Sequence, residues 1–148
     1  MTRLVRMAAL GVLAALALAA CGDEGGIAAP QKEQAQKADA ICREVQSKVG
    51  RLGDDPAMER DAVRSAAERL RAMNPPSENE TVWMRFVTDT ENLWLSLEDV
   101  AQARDPSTND RARAERALQR VRDTNNRIKE LAKDYGMQDC ARSGFEQA

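Results

Sequence analysis

The chain has 148 residues, 22 of them basic and 24 acidic, a formal net charge of −2 and no histidine. Without histidine it lacks the commonest general base and the commonest metal ligand. Only 3% of its residues are aromatic, which leaves little to stack against bases, and an acidic balance disfavours nucleic acid and anionic lipid as partners.

Residues 1–20 read as a bacterial lipoprotein signal. Arg3 and Arg6 supply a positive start, and the 14 residues from Met7 to Ala20 are apolar or small, with one glycine at Gly11. That run is too short to span a bilayer, which takes about 20 residues. It ends in Leu18-Ala19-Ala20-Cys21, small residues followed directly by a cysteine, the pattern of a lipobox. Cleavage before Cys21 makes that thiol the first residue and the acceptor of diacylglycerol. Two acyl chains suffice for stable anchoring, at about 0.8 kcal/mol per buried CH₂. Loss of Arg3 and Arg6 leaves 20 basic against 24 acidic residues, a net charge of −4. Residues 21–30 hold the lipidated cysteine and a tether, with Gly22, Gly25, Gly26 and Pro30 among them, a composition without apolar period.

A helical domain is expected over 31–148. The first helix, about Lys32 to Leu52, places Ala38, Cys42, Val45, Val49 and Leu52 on one face, with Ile41 beside them. Gly53 is its expected C-terminal cap. Asp55 then caps a second helix with Pro56 at the first position. Val63, Ala66, Leu70 and Met73 mark its inner face, flanked by Ala62 and Ala67, before Asn74-Pro75-Pro76 stops it. Ser77 with Glu80 fits a capping box for the third helix. There Trp83, Val87, Thr90, Trp94, Leu97 and Ala101 alternate by four and three, beside Phe86, Leu93 and Val100. This is the most apolar stripe after the signal, so the third helix is expected to be central. Asp105-Pro106 ends it, and Ser107 with Asp110 forms a weaker cap. The fourth helix, about Thr108 to Tyr135, carries Ala114, Leu118, Val121, Asn125, Ile128, Ala132 and Tyr135. Gly136 closes it, and residues 137–148 form a short tail.

Four amphipathic helices with short connections predict an all-α, antiparallel up-down four-helix bundle. With Cys21 assigned to lipid, Cys42 and Cys140 remain as an even pair in an oxidising compartment, where a disulfide persists. The up-down order brings the end of the fourth helix beside the start of the first. The bridge is therefore expected to join the first helix to the tail.

Short stretches of the mature part resemble a group of small secreted or lipid-anchored helical proteins of high-GC Gram-positive bacteria, whose function is unknown. The resemblance lies in Ile41-Cys42-Arg43, in Leu70-Arg71-Ala72-Met73-Asn74-Pro75-Pro76 and in Tyr135-Gly136-Met137-Gln138-Asp139-Cys140. Tyr135 and Ala141 depart from the Leu and Gly that relatives often carry there. The resemblance implies fold and placement on the outer face of the cytoplasmic membrane, and no activity.

No catalytic constellation is present. A di-metal bundle needs Glu-x-x-His pairs, and there is no glycine-rich phosphate loop or Gly-x-Ser-x-Gly elbow. Neither a cofactor nor a metal is expected. The arginines at 111, 113, 116, 120 and 122 are interrupted by Glu115 and Asp123 and read as a solvated helix face. Trp83 and Trp94, with the polar residues Thr90 and Asn125 at inward positions, are candidates for a ligand groove, although helical spacing also places all four in a core. The expected function is a non-catalytic, membrane-anchored module that binds or assembles with an envelope protein. The alternative is a carrier of a small apolar ligand or lipid between the helices. An internal apolar cavity would favour the carrier. A filled core with an exposed apolar patch would favour the binding module.

Overall fold

The computed structural model of the protein describes residues 27–52, 55–105 and 110–145. The signal, Cys21, most of the tether, Gly53 and Ser107 lie outside the described residues. The chain is an all-α antiparallel up-down bundle of four helices: α1 (Ala29–Leu52), α2 (Pro56–Arg71), α3 (Glu80–Arg104) and α4 (Arg111–Tyr135). A further short helix, α5 (Asp139–Ser143), forms within the tail. α1 packs on α2, α2 and α4 flank α3, and α5 packs on both α4 and α1.

Local chemistry explains most of the helix ends. The Asp55 carboxylate accepts the Ala57 N–H at 2.9 Å, with Pro56 in the first turn. Asp110 caps α4 itself, accepting the Arg113 N–H at 2.9 Å. α3 departs from expectation. It starts at Glu80 after Asn79, so Ser77 lies upstream of the cap position and the capping box does not form. Asn79 makes no side-chain cap either; its Nδ2 donates instead to Gln31 Oε1 at 2.7 Å, a link to α1. A tertiary bond has taken the side chain that would otherwise serve locally. At the far end of α4, Gly136 adopts φ 91° and Met137 N–H donates back to the Ala132 carbonyl at 2.8 Å. A Cβ at Gly136 would lie 2.3 Å from Ile27 Cδ1, so the entering chain packs directly over this turn.

The stripes read from sequence supply most of the core, although Met73, Trp94, Ala101 and Leu118 are only half-buried. Ala38, Ile41, Cys42, Val45 and Val49 of α1 meet Val63, Ala66 and Leu70 of α2 in one buried cluster. α3 contributes Trp83, Phe86, Val87, Leu93, Leu97 and Val100, the largest share of bulky side chains. From α4 come Val121, Ile128, Ala132 and Tyr135, and the tail adds Met137, Cys140 and Phe145. Each fully buried aliphatic or aromatic side chain contributes about 1.5–3 kcal/mol, so Met137 and Phe145 make the tail part of the core.

Candidate functional site: the groove between α3 and α4

Cys42 and Cys140 are joined by a disulfide with Cα atoms 5.4 Å apart, closing 98 residues of sequence. A row of α1 side chains reinforces it. The Asp39 carboxylate, 7% exposed, accepts the N–H groups of Gln138, Asp139 and Cys140 at 2.8, 2.9 and 3.0 Å. It thereby satisfies the first orphan donors of α5 from another helix. One turn on, Arg43 pairs with Asp139. A further turn on, Gln46 Nε2 donates to the Gly144 carbonyl at 2.9 Å. Sequence reasoning missed Asp39: its partners lie about a hundred positions away, and no local spacing signals them.

The four residues considered for a ligand groove do not share an open cleft. Trp83 is buried between Phe86 and Tyr135, with ring centroids 5.8 and 5.3 Å away. Thr90 Oγ1 donates to the Phe86 carbonyl at 2.8 Å. Asn125 Oδ1 accepts the Phe145 N–H at 3.0 Å, fastening the tail to α4. A Cβ at Gly144 would lie 2.1 Å from that oxygen, and φ there is +59°, so the position requires glycine. Trp94 is half-buried on the α2 side, with the Arg64 guanidinium 5.7 Å from its ring centroid. Thr90 and Asn125 have the bundle-internal partners that buried polar groups demand.

The open concave surface is instead on the outside, between α3 and α4. One section of about 640 Å³ is lined by the apolar Met84 and Leu131 and by Glu80, Arg85, Glu130 and Asp134. A second section of about 420 Å³ continues toward the other end, past Leu95 and Asp99. Arg127 lines both. Its guanidinium donates to the two Asp89 oxygens at 3.2 and 3.3 Å and to Thr124 Oγ1 at 3.1 Å. Met84 and Leu95 are 47% and 49% exposed. They are eleven positions apart, three helical turns, and therefore share one face about 16 Å apart along α3.

The carboxylates of α3 and of this groove divide into paired and unpaired. Asp99 accepts from Arg113 at 3.0 Å and Arg120 at 2.6 Å, and the Arg113 hydrogen bond leads in holding its carboxyl below the usual carboxylate range. Glu98 meets Gln102 and Arg60, which lower it likewise. Glu91 pairs with Arg71 of α2. Glu80, Glu130 and Asp134, by contrast, have no ion pair among the described residues. Sequence reasoning missed the groove, because each of its members looks like an ordinary outward position of its own helix.

Among the described residues, no group of His, Cys, Asp or Glu side chains is arranged to hold a metal, and no helix is long and apolar enough to cross a membrane. No protein-family model matches the chain, and no curated protein or solved structure is significantly similar to it.

Proposed function

We propose that the chain is a non-catalytic binding module, held on the outer face of the cytoplasmic membrane by a lipid on Cys21, and that its α3–α4 groove docks an envelope protein. The anchor rests on the charged start, the short apolar run and the small residues before Cys21. The absence of catalysis rests on the missing histidine and the missing nucleophile motifs. One observation carries the docking role: Met84 and Leu95 stand exposed along an open groove, while Trp83, Thr90 and Asn125 are buried. Exposed apolar side chains along a concave face mark interaction sites more than scattered ones do.

A photo-crosslinking amino acid placed at Met84 or Leu95, in cells, tests the role directly. Both positions should give the same discrete crosslinked protein, and the exposed position Glu68 on α2 should not. A pattern identical at all three positions, or no discrete product from the groove, would end the docking role. Cys21→Ala should leave an unlipidated precursor that keeps residues 1–20 and lacks the mass of the diacylglyceryl group, or release an unlipidated chain from the detergent phase. An unchanged mass and partition would end the anchor.

A further inference from the structure

Resting on that reading of the groove, we infer the chemistry of its occupant: a positively charged, amphipathic peptide segment of a membrane-resident protein. The charge pattern carries this. On α3, Asp89, Glu91, Glu98 and Asp99 are each matched by an arginine from a neighbouring helix or from α4. The bundle thus neutralises acids across its helix seams. Glu80, Glu130 and Asp134 escape this at one end of the groove, against the single unpaired guanidinium of Arg85 among the described residues lining it. Three carboxylates and one guanidinium leave two negative charges uncompensated.

Glu80 has a structural reason to be there, since it lies in the first turn of α3, where a carboxylate meets the positive end of the helix dipole. Glu130 and Asp134 have none. They are four apart on α4, where like charges repel. Asp134 also lies in the last turn of α4, where the dipole disfavours an anion. A cationic partner removes both penalties at once.

The apolar part of the groove selects a peptide over a bare cation. Met84, half-exposed and adaptable in shape, lines the same section as Leu131 and the acidic residues. A helix laid along two helices presents apolar residues at i and i+4 to Met84 and Leu131 and lysines or arginines to the carboxylates. Ile27 packs against Gly136, immediately after α4. Ile27 is six positions from Cys21, a reach of at most about 20 Å. The acidic end of the groove is therefore held near the attachment point, within range of a segment that emerges from the same membrane.

The test uses the full chain recovered from membranes and placed in nanodiscs of zwitterionic lipid, with empty discs as control. The probes are labelled helical peptides of about 14 residues, sharing one leucine face and differing only in lysine, glutamine or glutamate on its flanks. By fluorescence anisotropy the lysine peptide should bind at least about ten-fold tighter than the glutamine peptide, and the glutamate peptide should not bind. Added salt at about 0.5 M should shrink the difference. In the double variant E130K/D134K, whose changes are on exposed positions, the preference should pass to the glutamate peptide. Equal binding of all three peptides, or a lysine preference that survives the double variant, overturns the inference. If charge preference is absent while crosslinks from Met84 still identify one protein, the cationic chemistry falls and the docking face stands. If both are absent, both fall.

Discussion

Tyr135 is the clearest case of a single residue whose chemistry follows from its packing. Its ring lies against Trp83, and its hydroxyl is buried with no hydrogen-bond partner among the described residues. Burial pushes the phenol above its ordinary pKa of 10.0. The folded chain keeps this proton where the unfolded chain releases it, so stability is full below pH about 10 and falls as pH rises beyond it. It is the only tyrosine, so tyrosinate absorbance reports on it alone. In the folded chain ionisation should be displaced above the ordinary phenol range. A smooth titration near pH 10 in a chain that stays helical would show the hydroxyl to be open to water. Tyr135→Phe deletes an unsatisfied hydroxyl, whose burial costs about 1–3 kcal/mol, and should leave stability unchanged or raise it. The stripe of α4 made the burial of Tyr135 legible, as it did for Asn125. Asp39 was not legible, because a carboxylate on an apolar face gives no sign of the three distant N–H groups it serves.

At the scale of the element, periodicity located every long helix, and turn chemistry fixed its ends less evenly. Asp55 and Gly136 act where their residue types predict. Asp110 takes the capping role expected of Ser107. Ser77 does not cap α3, because the helix starts at Glu80, and Asn79 at the cap position is committed to Gln31. Two substitutions separate these cases. Asp110→Ala removes the acceptor of the Arg113 N–H and should cost about 1 kcal/mol. Ser77→Ala should change stability by less than about 0.5 kcal/mol, the range of ordinary surface substitutions. Denaturant midpoints measure both. A Ser77→Ala cost equal to that of Asp110→Ala would restore the capping box. α5 escaped the sequence because five residues carry no period. Its start depends on Asp39 from α1 and its end on Asn125 of α4.

For the whole molecule, the order of the helices was legible because short connections and amphipathic faces leave an up-down bundle as the simple solution. The groove was not, since it exists only once α3 and α4 are rotated against each other. Met84 on one and Glu130 on the other are unrelated in sequence terms. The disulfide lies between these extremes: cysteine arithmetic predicted it, yet the tail does not depend on it alone. Phe145 and Met137 are core residues, and Asp39, Gln46 and Asn125 hold the backbone between them. The 98-residue closure therefore acts chiefly on the unfolded chain, and removing a native bridge of this kind costs about 2–5 kcal/mol. Cys140→Ser should lower the melting temperature by on the order of 10 °C. The helical circular dichroism at ambient temperature should not change, because the noncovalent anchors remain. A melting temperature equal to that of the parent would mean that the bridge constrains nothing in the unfolded state. Loss of helix before heating would mean that Asp39, Asn125 and Phe145 cannot hold the tail without it.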